Sequence, residues 1–203
     1  MSTPNEALDP RIKRTHQLIR DAFLSLMQEK RFEQITVRDI AARAEINRAT
    51  FYLHYQDKYE LLNQIVEEML IEFEAIFQLP EGFGVEDFIS DPNTPPESFI
   101  RQFEHIAENA RFYKVMLGPH GLPGFAARLD SIISKSLYHR SIIAEPSDNK
   151  MKMPREIIVR YVTAAHLGII VYWLEMDMNF SPQYMAAQLI RLHSLGSVEC
   201  VKG

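Results

Sequence analysis

The sequence holds a single cysteine, Cys200, among 203 residues. One thiol forms no internal disulfide and no cysteine metal site, and it suits a reducing compartment, so a cytoplasmic protein is expected. Glycine is scarce at 8 residues, which argues against a turn-rich β fold. Long apolar runs are missing too. The longest uncharged stretch of the apolar C-terminal segment, Tyr161–Leu174, has 14 residues, short of the roughly 18 a membrane span needs. The first ten residues, MSTPNEALDP, have no apolar core, so no signal peptide is expected.

Enzyme signatures are absent as well. The seven histidines include no His-Glu-x-x-His pair, and neither a Gly-x-x-x-x-Gly-Lys loop nor a Gly-x-Ser-x-Gly elbow occurs. Cys200 sits in Val-Glu-Cys-Val, a poor setting for a nucleophile, and Glu67, Glu68, Glu72 and Glu74 read as the solvated face of one helix. No enzyme activity, cofactor or metal is expected.

What is present is ordinary globular composition, 46% hydrophobic and 24% charged, in a chain long enough for one or two small domains. The net charge of −5 hides an asymmetry. Residues 1–60 carry ten Lys/Arg against nine Asp/Glu, and the remainder carries twelve against eighteen. A less acidic head on an acidic body fits a small DNA-binding module joined to another kind of domain.

Apolar periodicity predicts about nine helices and no strand. The first runs over 11–30, with Ile12, Ile19, Phe23 and Leu26 on one face. Thr36, with Asp39 three residues on, opens the second in a capping-box pattern. Glu45-Ile46-Asn47 breaks the chain, and Asn47 caps a short third helix, 48–55. A fourth starts at Asp57, with Glu60 completing another capping box. Pro80, Gly82, Gly84, Pro92, Pro95 and Pro96 then mark an irregular boundary, with one turn at 85–88. Helices resume around Phe99–Ala110, Phe112–Leu117 and Phe125–Leu137, a polar loop covers 145–154, and helices at 154–176 and 182–195 follow. Ser181 and Pro182 form the start of the last one.

Helix two, the break and helix three form a helix-turn-helix, which offers the start of helix three to a DNA major groove. The residues there suit that task. Arg48 reaches a phosphate or a guanine edge, and Ala49 permits close approach. Thr50 bonds a base or backbone, Leu53 touches a thymine methyl, and Tyr52 and His54 present polar tips to phosphates. Thr36, Asn47 and Lys58 stand at helix starts, where backbone N–H groups favour phosphate.

Residues 36–62, TVRDIAARAEINRATFYLHYQDKYELL, resemble the DNA-binding domain of the TetR family of bacterial transcriptional regulators. The likeness covers about residues 10–70. It implies a phosphate anchor at Thr36, a base contact from Arg38, recognition-helix contacts from Arg48, Ala49, Thr50, Tyr52 and His54, a phosphate-binding Lys58, and inward aromatic plugs at Phe51 and Tyr55. Glu45 stands where that family often has glycine, so a left-handed residue strained by about 1–2 kcal/mol is expected there.

The tract FEHIAENARFYKVMLGPHGLPGFAARL and the tract YVTAAHLGIIVYWLEMDMNFSPQYMAAQLIRL resemble the C-terminal regulatory domain of such proteins. This likeness implies that 71–203 forms an effector-binding and dimerisation domain. Phe103, Phe112, Tyr113, Met116, Phe125, His166 and Trp173 would line a pocket or serve as plain core. Ala164, Ala165, Gly168, Met185, Leu189 and Leu192 would lie at the dimer interface, with helices 154–176 and 182–195 of two subunits bundling together. The expected protein is an all-α, homodimeric repressor released from a palindromic operator by a small-molecule effector. The alternatives are an activator or nucleoid-associated factor working through a protein partner without a pocket and, more remotely, a helical enzyme.

Overall fold

A computed structural model describes residues 9–77, 95–144 and 153–199. The turn expected at 85–88 and most of the 145–154 loop lie outside the described residues, as does Cys200. Among the described residues the structure is wholly helical: α1 (Pro10–Glu29), a single 3-10 turn (Phe32–Gln34), α2 (Val37–Arg43), α3 (Arg48–His54), α4 (Lys58–Ala75), α5 (Glu97–Glu108), α6 (Ala110–Leu117), α7 (Phe125–Ala144), α8 (Arg155–Glu175) and α9 (Pro182–Glu199). The chain divides into two compact units, one of residues 1–69 with 118–122, the other of 70–117 with 123–203.

In the first unit the apolar stripe of α1 delivers Ile19, Phe23 and Met27 to a core completed by Ile35, Ile40, Phe51 and Leu61, all buried. Fully burying each such side chain contributes about 1.5–3 kcal/mol. Ile12, expected on the same face, is only partly covered. Asp9 caps α1, its carboxylate accepting from the Arg11 N–H at 2.8 Å.

The second unit packs α5 against α9, and α7 and α6 against α8. Its interior is aromatic. Phe112 meets Phe125 edge-on at 5.4 Å, Phe103 meets Trp173 at 5.2 Å, and Tyr113 lies 6.2 Å from Phe73. The Trp173 indole donates to the Phe180 carbonyl at 3.0 Å. α8 is, by length and composition alone, apolar enough to cross a membrane, although its uncharged run falls short. In the structure one stripe of it, Val159, Thr163, His166, Ile170 and Trp173, is buried in this unit, and Arg160 pairs with Asp130 of α7 at 2.7 Å. Ser181 starts α9 as expected, accepting from the Tyr184 N–H at 3.2 Å.

α4 departs from expectation at its start. Asp57 accepts from the N–H groups of Tyr59 and Glu60, both at 2.8 Å, but Glu60 reaches past Asp57 to the Gln56 N–H at 2.5 Å. The reciprocal half of the capping box is displaced by one residue. The interface expectation also needs correction on α9. Met185 and Leu189 are buried inside the chain's own fold, at 5% and 0% exposure, so neither has surface left to bury against a second subunit.

Candidate nucleic-acid interface

Each helix of the α2–α3 pair is started by a side chain. The Thr36 hydroxyl accepts from the Asp39 N–H at 3.2 Å, and the Asp39 carboxylate accepts from the Thr36 N–H at 3.0 Å, a complete capping box. Lys30 donates to the same carboxylate at 2.9 Å. That bond first, and the Thr36 N–H after it, hold the Asp39 carboxyl down to about 2. At α3, Asn47 Oδ1 accepts from the Ala49 N–H at 2.9 Å. The Asn47 amide N–H groups remain for another partner, whereas the Thr36 hydroxyl also serves the Asp39 carboxylate.

The turn between the helices is a Schellman closure. The Glu45 N–H donates to the Ala42 carbonyl at 3.2 Å and the Ile46 N–H to the Ala41 carbonyl at 3.0 Å. It requires a left-handed residue at Glu45, whose φ is 55°, so the strain expected at this position is present. A second closure of the same kind ends α8 at Asp177 and Met178, with φ values of 52° and 54°.

Behind α3, Phe51 and Tyr55 are buried, as the plugs were expected to be. His16 of α1 and the Tyr55 hydroxyl are hydrogen-bonded at 2.6 Å, and the His16 ring lies edge-on to His54 at 4.7 Å. Burial, and then His54, push His16 below its usual range, while burial raises Tyr55 to about 12. His16 and Tyr55 border a cavity of about 230 Å³ together with Arg20 and Glu68. The outward face of α3 holds Arg48, Ala49, Tyr52 and Leu53, all exposed, with Thr50 and His54 half-buried beside them. Leu53 is 81% exposed, a large apolar side chain with no cover from its own chain.

Four cations of this unit are held by acids or carbonyls. Arg20 pairs with Glu68 at 3.4 Å, Lys30 with Asp39, and Arg43 with Glu29 at 2.8 Å and the Ser25 hydroxyl at 2.7 Å. Lys58 donates to the carbonyls of Phe32, Glu33 and Ile35 at 2.9, 3.1 and 2.8 Å, with its ammonium 4.5 Å from the Phe32 ring centre. All three ammonium hydrogens are occupied, so a phosphate would have to displace a carbonyl. By contrast, Arg38 and Arg48 of the helix pair, like Arg11, Lys13, Arg14 and Arg31 elsewhere in the unit, are exposed, and among the described residues none of these side chains has an ion pair or a hydrogen bond. The roles of Lys30 and Arg43 were not legible in the sequence, because their acidic partners stand 9 and 14 residues away, on other elements or at no helical spacing.

In the second unit, all seven pocket-or-core residues are buried together. Of the six residues expected at the interface, Ala164, Ala165, Gly168 and Leu192 are exposed.

A capped helix pair with two free guanidiniums on its outer face, carried by a chain whose second unit is also helical, defines a helix-turn-helix regulator. Residues 19–65 match the family described as bacterial regulatory proteins, tetR family, and residues 93–194 match the transcriptional regulator C-terminal region. The chain belongs to the TetR family of transcriptional regulators, whose members are not enzymes. It is 25% identical over 184 residues to the uncharacterized HTH-type transcriptional regulator YxbF of Bacillus subtilis, covering 87% of this chain and 44% of that protein. It is 43% identical over 58 residues to the HTH-type dhaKLM operon transcriptional activator DhaS of Lactococcus lactis, covering 29% of this chain and 31% of that protein. These matches span less than half the length of either relative. A TetR transcriptional regulator from Streptococcus agalactiae shares the fold, with a TM-score of 0.59 and 23% identity over 90% of this chain and 95% of that one.

Proposed function

We propose that this chain is a dimeric, cytoplasmic repressor. It reads a two-fold operator through α2 and α3, and a small molecule bound in its second unit releases it. One observation carries the DNA reading: of the three arginines on the helix pair, Arg38 and Arg48 stand exposed and unpaired at the starts of α2 and α3, while Arg43 is held by Glu29 and Ser25. A free guanidinium at the start of a helix suits a phosphate or the bidentate edge of guanine. Ala49, Thr50, Tyr52, Leu53 and His54 then meet bases and sugar–phosphate, Asn47 adds donors from its cap, and Thr36 meets a phosphate at the start of α2. On this reading residues 10–70 bind DNA and 71–203 bind the effector and the second subunit.

Two-fold reading needs two recognition helices about 34–36 Å apart, or a multiple of that. The exposed face of α8 supplies a surface for the second copy. Ile157, Tyr161, Ala164, Ala165, Gly168 and Tyr172 recur at helical spacing and are open in the single chain, and a Cβ built on Gly168 meets nothing within 4 Å. On α9, Tyr184 and Leu192 are exposed as well. Effector binding acts by favouring one of two spacings of the recognition helices, with α4 as the connecting element.

The test is fluorescence anisotropy on the DNA flanking the protein's own gene, over a salt series, with scrambled DNA of equal length. Specific binding that weakens steeply with salt is expected. Equal binding to both DNAs, or none at low salt, overturns the reading. The activator name of the Lactococcus relative favours a second reading, activation through a protein partner. A promoter fusion separates the two: deleting the gene raises the reporter under repression and lowers it under activation.

A further inference from the structure

Three polar side chains lie deep in the second unit. Gln102 and Thr163 are fully buried and His166 is 1% exposed. Gln102 belongs to the buried stripe of α5, with Phe99, Phe103 and Ile106. Thr163 and His166 belong to that of α8. The His166 ring stacks on Phe99 at 5.7 Å and on Phe103 at 6.5 Å, and Phe103 in turn meets Trp173. The two stripes therefore face one core.

Neither Nε2 nor Oε1 of Gln102 has a hydrogen-bond partner there, and neither has Oγ1 of Thr163. Burying a carboxamide and a hydroxyl unpartnered is unfavourable, and apolar side chains of similar size would fill the same space without that cost. An interior that retains both groups makes physical sense when their partner arrives from outside.

We infer that Gln102 and Thr163 hold a small uncharged effector that carries an amide or lactam edge, its flat body lying against Phe99, Phe103 and His166. The Gln102 carboxamide presents a donor beside an acceptor, and the complementary edge is an acceptor beside a donor, as in a lactam or a primary amide. The Thr163 hydroxyl takes a third hydrogen bond of either sense. The ligand is uncharged because, among the described residues of the two buried stripes, the only permanently charged side chain is Arg155, eight residues from Thr163 along α8 and thus about 12 Å away. An ionised ligand would enter largely apolar surroundings with no permanent counter-charge beside it. This assignment rests on the second unit's being the effector domain, and it names the chemistry of that site.

Trp173 is the only tryptophan, so its fluorescence reports the site directly. The full chain is titrated with δ-valerolactam and benzamide, and with benzoate as the charged control, following Trp173 emission and the thermal midpoint. Both amides are expected to change the emission saturably and raise the midpoint, with benzoate doing neither. Gln102→Leu is expected to raise the midpoint of the unliganded protein and to weaken amide binding at least about tenfold. Thr163→Val is expected to act in the same directions, less strongly. The inference is overturned if the wild type ignores both amides, if benzoate binds as well as benzamide, or if Gln102→Leu lowers the midpoint or leaves amide binding intact. Operator binding by the wild type is measured alongside. Amide binding without DNA binding sinks the regulator reading and keeps the site, whereas DNA binding without an amide response sinks the site alone.

Discussion

Lys58 and Arg48 differ in what each has left to offer a phosphate. The Lys58 ammonium already serves three carbonyls and two rings, so it ties the start of α4 to the Phe32–Gln34 turn. Lys58→Ala should therefore lower unfolding stability by about 1–3 kcal/mol in urea titrations, since it strands part-buried carbonyls. Arg48→Ala should leave stability within about 0.5 kcal/mol and reduce the salt slope of DNA binding by about 1 for each recognition helix. If Lys58→Ala flattened the salt slope with stability unchanged, the positioning role would be wrong. Glu45 is a second case where one residue carries a separable term. At a φ of 55°, Glu45→Gly should add about 1 kcal/mol, because glycine occupies the left-handed region without strain. A destabilised Glu45→Gly protein would show that the glutamate side chain holds the turn in some further way.

At the scale of the element, α2 and α3 are too short to persist alone, at seven residues each, and depend on caps and on the core beneath them. Asn47 does two things at once in the proposed reading: Oδ1 caps α3, and the amide hydrogens face DNA. The two separate by substitution. Asn47→Ala should lose about 1 kcal/mol of stability with the cap. Asn47→Asp should retain the cap and its stability, yet bind operator more weakly, because a carboxylate has no hydrogen to donate and repels phosphate. Equal DNA affinity for Asn47→Asp and wild type, across the salt series, would remove Asn47 from the interface and leave it as a cap.

For the whole molecule the proposed dimer rests on the open face of α8. Ala165→Arg adds a charge where the single chain is exposed, so the fold of the isolated chain should survive, with its helical circular dichroism intact. On the proposed reading, sedimentation should show a dimer for the wild type and a monomer for the variant, and operator affinity should fall at least about tenfold, since one recognition helix supplies too little contact. A variant that remained dimeric would place the interface on another face. The acidic body, with eighteen Asp/Glu against twelve Lys/Arg beyond residue 60, adds no DNA attraction of its own, so the salt dependence should reside in the first unit.

The amino-acid sequence alone determined what depends on neighbours a few residues apart. The Thr36–Asp39 box and the Asn47 cap were legible because a helix start is decided within one turn of chain, whereas the left-handed Glu45 and the inward Phe51 and Tyr55 were legible only through the resemblance to the TetR family. The tertiary structure decided everything that pairs across elements: Lys30 with Asp39, Arg43 with Glu29, Lys58 with the carbonyls of a preceding turn. It also decided sidedness. An amphipathic helix such as α1 declares its buried face by polar residues on the other, but α8 and α9 are apolar around much of their circumference. Periodicity therefore could not say that Met185 and Leu189 turn inward while Tyr184 and Leu192 stay open. Where both faces of a helix are apolar, only the neighbour that packs against one of them determines which is core and which is left for a partner.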